Sequence, residues 1–105
     1  MGRKFLLAFL ISVSSILPAQ AEWLITECSA YTPYDCGNIT ATGEPVHIGG
    51  VACNFLSFGT VVIIDDVEYI VNDRCGIDGC IDIFMESYEE AIQFGRQYKE
   101  VYIKR

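Results

Sequence analysis

The sequence predicts a small, mainly β domain with one α-helix. Short runs of β-branched and apolar residues, such as 60–64 and 67–71, are separated by clusters of Gly, Pro, Asp and Asn, which form turns. Only residues 87–95 have apolar side chains at helical spacing between a capping residue and a glycine. These observations favour one compact domain over a multidomain or repeat protein.

The first 21 residues are organised like a secretory signal peptide. Arg3 and Lys4 precede an apolar stretch at residues 5–17, and Ala-Gln-Ala at 19–21 has the small-x-small form of a cleavage site. The alternative, a membrane anchor, would need about 20 apolar residues, and this run is shorter. We therefore expect cleavage after Ala21, and a secreted or periplasmic domain at residues 22–105 with no membrane attachment.

The expected mature domain is strongly acidic. Without Arg3 and Lys4 it keeps five Lys and Arg against fourteen Asp and Glu, a net charge of −9. Nucleic acids and anionic lipids are bound by Lys and Arg that neutralise phosphates, so this balance argues against both as partners. Its simplest consequence is solubility, and we expect a monomer.

Five cysteines lie in the expected mature domain: Cys28, Cys36, Cys53, Cys75 and Cys80. Small exported domains often add disulfides because their cores are thin. An odd number allows at most two bridges, and sequence alone leaves the pairing open. A zinc site is the alternative, but the chain has one histidine, His47, and no pair of Cys-x-x-Cys knuckles. The prediction is structural disulfides and no metal site.

Most of the chain is predicted to be strand. A first strand at residues 22–31 is followed by a turn cluster at 32–38 and by extended pieces at 39–43 and 46–53. The runs 60–64 and 67–71 flank Asp65-Asp66, which is the pattern of a tight hairpin. Residues 81–84 and 99–104 are two further strands.

The single predicted helix follows residue 86. Ser87 is a suitable N-cap with Glu90 three residues on, which is a capping-box pattern, and Gly95 is suited to end the helix. The apolar spacing of Tyr88, Ala91 and Ile92 predicts that they face inward.

Candidate catalytic residues lie in "VNDRCGIDGCIDIF", residues 71–84, where Asp73 ends one apolar run and Asp82 lies in the next. If the two strands are neighbours, both carboxylates reach the same rim. Close carboxylates in a partly dry groove shift each other's pKa, so one can hold a proton and act as the acid that cleaves a glycosidic bond. The alternative is structural, with Asp73 binding loop N–H groups and Asp82 paired with Arg74.

The chain also resembles a known family over most of its length. The strings "AYTPYDCGNITATGEPV", "VACNFLSFGTVVIIDDVEYIVNDRCG" and "IDIFMESYEEAIQFGRQYKEVYI" are similar, in the same order, to the secreted bacterial and phage 3D domains, which are named for three aspartates. The matching motifs are residues 30–33, 40–43, 59–60, Asp73, 82–84 and 94–96. The family's first aspartate falls at Asn54, and the loop between the other two carries Cys75 and Cys80.

This resemblance implies a six-stranded double-psi β-barrel with one α-helix before the last strand. It also implies kinship with the catalytic barrel of a class of lytic transglycosylases, which cut the glycan strands of peptidoglycan. By that match Asp82 is the single acid and base, and Asp73 is the neighbour that raises its pKa. The intramolecular reaction needs no cofactor or metal. Expected substrate contacts come from Tyr31, Asp35, Thr40 and Asn54.

Three other interpretations remain open from the sequence. "YTPYDC" also resembles the start of small inverting endoglucanases and expansins, where Asp35 would face Asp82 across a groove. A second possibility is a carbohydrate-binding module without hydrolysis, which would depend on Tyr31 or Trp23. The third is a disulfide-stapled structural or interaction protein of a phage or envelope.

Overall fold

The computed structural model describes residues 22–104, so the predicted signal peptide lies outside the described residues. This part of the chain forms six strands and two helices. The strands are β1 (Glu22–Tyr31), β2 (Gly50–Cys53), β3 (Val61–Ile64), β4 (Val67–Asp73), β5 (Cys80–Phe84) and β6 (Gln97–Lys104). The helices are α1 (Pro33–Cys36) and α2 (Tyr88–Phe94).

The six strands close into one barrel in the order β1-β5-β2-β4-β3-β6. The β1–β5 and β2–β4 pairs are parallel, and the other four pairs are antiparallel. This confirms the predicted fold class, a mainly β six-stranded barrel with a helix before its last strand. The two parallel pairs in an otherwise antiparallel barrel fit the double-psi topology that the resemblance implied.

Alternate residues of the strands fill the barrel interior. Period-2 alternation sends one face of each strand inward, and the buried residues there are mainly Val and Ile. The interior cluster comprises Cys28, Val51, Cys53, Leu56, Val62, Ile64, Val71, Ile81, Ile83, Val101 and Ile103. A second, smaller cluster of Tyr31, Ala52 and Phe84 lies apart from it. The second cluster positions the candidate site.

The strand predictions hold best where β-branched runs are long. β1 has the predicted bounds, and the predicted hairpin is β3–β4 with Asp65 and Asp66 at its turn. Both have positive φ, 53° and 66°, which is the conformation that a two-residue type I′ turn requires. The predicted extended pieces at 39–43 and 46–53 are mostly loop, with an isolated bridge between Ile39 and Pro45 and only Gly50–Cys53 in the barrel.

A one-turn helix, α1, occupies the predicted turn cluster after β1. Thr32 caps it: the Thr32 hydroxyl accepts from Tyr34 N–H at 3.2 Å, and Asp35 accepts from Thr32 N–H at 2.8 Å. Pro33 fits the first helical position because its missing N–H would have no intrahelical partner there. Turns and short capped helices use the same residue types, so the composition of this segment does not distinguish a turn from a one-turn helix.

Helix α2 has the predicted ends but not the predicted buried face. Ser87 accepts from Glu90 N–H at 3.2 Å, and Gly95 ends the helix with φ 61°. The Ser87 hydroxyl also donates to Glu89 Oε1 at 3.3 Å, in addition to its predicted contact with Glu90. Tyr88 and Ile92 are 52% and 62% exposed, and Phe94 instead packs against the interior. The inward prediction for Tyr88 and Ile92 is therefore wrong.

All five cysteines are thiols in the structure, so the predicted disulfides are not present among the described residues. Cys28 and Cys53 project into the interior from β1 and β2, which are separated by β5, and both are fully buried. They contribute to the core as small apolar side chains. Within residues 22–104 the structure has no helix with the length and apolarity to cross a bilayer.

Candidate functional site

The candidate site centres on Asp82, in the middle of β5. Ile81 and Ile83 on either side belong to the barrel interior, so alternation places Asp82 on the outer face. Strand register pairs Asp82 with Ser29 of β1 on one side and Ala52 of β2 on the other. The Ser29 hydroxyl donates to Asp82 Oδ1 at 3.0 Å.

The surroundings of Asp82 raise the pKa of its carboxyl. Burial is the largest cause, since the second apolar cluster of Tyr31, Ala52 and Phe84 lies on this face. The hydrogen bond from Ser29 and the charge of Arg96 lower the pKa, while the carboxylates of Asp35 and Asp73 raise it further. The net rise favours a protonated Asp82 at higher pH than an ordinary aspartate allows.

Asp73 is held at the end of β4 by backbone and side-chain donors. Its Oδ1 accepts from the N–H groups of Ala41 and Arg74, both at 2.9 Å. Its Oδ2 accepts from the hydroxyl of Tyr31 at 3.4 Å. Asp73 thus binds loop N–H groups, as the structural alternative predicted, and also acts on the pKa of Asp82, as the catalytic interpretation predicted.

Tyr31 lies between the two carboxylates. Burial, and then the charges of Asp73 and Asp82, raise the pKa of the Tyr31 hydroxyl well above its ordinary value. Its ring packs edge-on against Phe84 with centroids 5.5 Å apart, and the side chain is 3% exposed. Tyr31 is therefore a neutral donor that connects Asp73 to the environment of Asp82, and its ring is covered rather than open to stacking.

Two further predicted contacts, Asp35 and Thr40, have local partners. Asp35 Oδ2 accepts from both the N–H and the hydroxyl of Thr32, at 2.8 and 3.1 Å, so it closes the capping box of α1. Thr40 is buried, and its hydroxyl bonds that of Thr42 at 2.7 Å. The Thr40 segment meets the site through the N–H of Ala41, which binds Asp73.

Asn54 holds the loop between β4 and β5. Its amide nitrogen donates to Cys75 O at 3.0 Å and to Asp78 Oδ1 at 2.8 Å, and its amide oxygen accepts from Cys75 N–H at 2.8 Å. Asn54 therefore fixes this loop, and its predicted role as a substrate contact stays a prediction. The loop in turn places the Cys75 thiol beside Asp82, where burial and the Asp82 charge raise the pKa of Cys75 to about 12.

Arg74 does not pair with Asp82. Its guanidinium donates to Cys53 O at 2.6 Å and Leu56 O at 2.8 Å, and it lies 3.7 Å from the centre of the Phe58 ring. The alternative that Asp82 is one half of an ion pair with Arg74 is therefore wrong. Arg96, which lies beside Glu27 at 3.5 Å, is the cation whose charge reaches Asp82.

Sequence reasoning missed Ser29, Cys75 and the Ala41 N–H as parts of the site. Ser29 shares the outward face of β1 with Tyr31, and this alternation was the available signal. Its contact with Asp82, however, depends on the β1–β5 pairing, which joins residues 53 positions apart. Nothing local to residues 26–31 indicates that partner.

The described residues hold no group of three or more His, Cys, Asp or Glu arranged to bind a metal ion. No known protein family matches the chain, and no curated protein matches it in sequence. The resemblance to 3D domains therefore stays a prediction.

Proposed function

We propose that this protein cleaves glycan strands of peptidoglycan in the manner of a lytic transglycosylase, with Asp82 as its acid and base. The observation that carries the proposal is a single half-buried carboxyl with a raised pKa, held by Ser29 on the outer face of the barrel. A catalytic acid must keep its proton near the working pH, and burial of this kind is how enzymes achieve it.

The proposed reaction needs one proton and returns it. The Asp82 carboxyl gives its proton to the glycosidic oxygen as the bond from that oxygen to the muramoyl C1 breaks. The Asp82 carboxylate then takes the proton of the muramoyl C6 hydroxyl, whose oxygen bonds to C1 and closes an anhydro ring. No water is consumed, and the enzyme ends in its starting protonation state.

Ser29 and Asp73 support this chemistry from fixed positions. Ser29 holds Oδ1 of Asp82, so we assign the proton transfer to Oδ2. Asp73 is anchored by two backbone N–H groups and by Tyr31, and its charge opposes ionisation of Asp82. A fixed neighbour of this kind is a positioning residue, because it acts through Asp82 rather than on the substrate.

Inverting hydrolysis with Asp35 as the base receives less support. A general base must accept a proton from a water on the far side of the sugar. Asp35 Oδ2 already accepts two hydrogen bonds from Thr32, and its position is fixed by the capping box of a one-turn helix. Turning this carboxylate towards a water across the groove would break the Asp35 half of the α1 capping box.

The test is incubation of the purified protein with peptidoglycan, followed by mass spectrometry of the soluble products. We expect anhydro-muropeptides from the wild type, and a rate about 10²–10⁴-fold lower for Asp82→Asn. Asp66→Asn removes an equal charge at the exposed turn between β3 and β4, outside the contacts of Asp82, and should leave the rate unchanged.

Other products would identify other functions. Reducing-end fragments that depend on Asp35 would show an inverting hydrolase instead. Full activity in Asp82→Asn would remove Asp82 from the mechanism. Binding of the glycan without products, in protein whose fold is verified by circular dichroism, would show a carbohydrate-binding module.

A further inference from the structure

A cleft outside the Asp82 site lies where α1 and α2 begin. β1 and β5 are parallel neighbours, so the helices that follow them start at the same end of the barrel. The space between them is about 610 Å³ and is lined by Tyr34, Glu86, Ser87, Tyr88 and Glu89. We call it the tyrosine cleft. Asp82 is not among its lining residues.

The two tyrosines of the cleft present aromatic surface to solvent. Tyr34 is 80% exposed and Tyr88 52% exposed. Their rings come from different helices and meet edge-on, with centroids 6.2 Å apart and an interplanar angle of 84°. An aromatic face attracts a cation through its quadrupole, whereas the ring edge is positive, so the ammonium would lie over a ring face.

The charges around the cleft are negative and have no cationic partner among residues 22–104. Glu86 and Glu89 line it, and no Lys or Arg does. The four described cations are engaged elsewhere: Arg74 with Cys53 O and Leu56 O, Arg96 with Glu27, Lys99 with Asp65 and Lys104 with Glu68. The partial positive charge at the N-terminus of α2 offsets part of the negative charge of Glu89, which lies in the first turn. Glu86 lies before the N-cap residue Ser87 and is outside that turn.

We propose that the tyrosine cleft binds an alkylammonium group, such as the side chain of a lysine or a similar diamino acid in a peptide. The aromatic rings suit the alkyl stem and the ammonium, and the carboxylates accept hydrogen bonds from the ammonium N–H groups. Anionic ligands are disfavoured by the two glutamates. This inference goes beyond glycan cleavage and does not rest on it, because the cleft shares no residue with the Asp82 site.

The experiment is a nuclear magnetic resonance titration of the purified protein with Nα-acetyl-lysine N-methylamide, with the norleucine analogue as the uncharged control. We expect the lysine probe to shift the amide resonances of Tyr34, Ser87 and Tyr88, and the norleucine probe to bind at least fivefold more weakly. The combined variant Glu86→Gln with Glu89→Gln should lose about fivefold to tenfold in affinity. The matched variant Glu44→Gln with Asp66→Asn removes equal charge elsewhere and should bind normally.

The roles of the rings are tested separately with Tyr34→Leu and Tyr88→Leu, which keep apolar surface but remove the aromatic face. Each variant should lower the affinity for the lysine probe severalfold.

Equal binding of the lysine and norleucine probes would overturn the proposal in favour of a purely apolar groove. So would shifts at these residues from N-acetylglucosamine but not from the lysine probe, which would indicate a sugar subsite. Loss of cleavage in Asp82→Asn with normal lysine binding would separate this proposal from the first.

Discussion

At the scale of single residues, Asp82 carries a cost to stability that is tied to its proposed function. Its folded-state pKa is raised above the ordinary unfolded value of about 3.9, chiefly by burial. The folded protein therefore holds this proton more tightly than the unfolded chain does. By linkage, the contribution of Asp82 to the free energy of unfolding falls as pH rises from the unfolded pKa to the folded one.

This linkage gives a prediction for two variants. Relative to Asp82→Asn, the wild type should lose free energy of unfolding as pH rises from about 3 towards 7. Ser29→Ala removes the hydrogen bond that lowers the Asp82 pKa, so it should enlarge that loss and extend it to higher pH. Urea denaturation at a series of pH values measures all three proteins. A constant difference between wild type and Asp82→Asn across this range would contradict the raised pKa.

The aspartates of the site could be predicted from sequence, but their partners could not. Asp73 and Asp82 stand out because they interrupt apolar runs only nine positions apart. Ser29 and Ala41 reach them from 53 and 32 positions away, through strand pairing and a loop crossing. Contacts of that kind depend on register, and no local pattern encodes them.

At the scale of elements, the loop between β4 and β5 explains why Asn stands at position 54. An amide both donates and accepts, and Asn54 uses both functions: it donates to Cys75 O and Asp78 Oδ1 and accepts from Cys75 N–H. A carboxylate at this position would keep only the accepting bond, and it would face the carboxylate of Asp78. The composition of this loop therefore favours Asn over Asp at position 54.

The loop contact predicts coupling between positions 54 and 78. Asn54→Asp should destabilise the fold by about 1–3 kcal/mol, since it breaks two hydrogen bonds and opposes like charges. Adding Asp78→Asn removes the repulsion and restores a donor, so the double variant should recover at least about 1 kcal/mol. Free energies of unfolding from urea denaturation complete the cycle. Additive effects, with no recovery, would contradict the observed contact.

The element predictions fail where short segments depend on contacts far along the chain. The tight hairpin of β3 and β4 is encoded locally by two β-branched runs and a two-residue turn, and the structure confirms this prediction. Residues 39–43 and 46–53 were predicted to be short extended pieces, but Gly43, Pro45 and Gly49 interrupt the pairing that a strand needs, and only Gly50–Cys53 joins the barrel. The apolar spacing of α2 predicted a buried face, whereas Tyr88 turns to Tyr34 and the tyrosine cleft.

At the scale of the whole molecule, closure of the barrel determines how the cysteines behave. The predicted export and the small size of the domain favoured disulfides, at most two from five cysteines, yet the strand order separates Cys28 and Cys53 by β5 and both side chains lie in the interior. Cys36 instead lies exposed in α1, near Asp35 and Asp82. Cysteine side chains therefore occur both in the buried interior and on the exposed surface, and closure of the barrel determines which cysteines are buried.

Barrel closure predicts the order in which the thiols react with an alkylating reagent. Cys36 should react first because it is exposed, although its pKa is raised. Cys28 and Cys53 are 0% exposed, and burial raises the pKa of Cys28 to about 11. Both thiols should therefore react with the reagent only after the barrel opens. In a domain stable by about 5 kcal/mol or more, that delay is at least about 10³-fold.

Site-resolved mass spectrometry after timed alkylation measures these rates, and Cys36→Ser is the control that removes the fast reaction alone. Urea below the unfolding transition should accelerate Cys28 and Cys53 together, because one cooperative opening exposes both. Independent rates for the two would show that β1 and β2 leave the barrel separately. An intact mass short of two hydrogens before labelling would show that a disulfide forms after all, and that the interior rearranges to accommodate it.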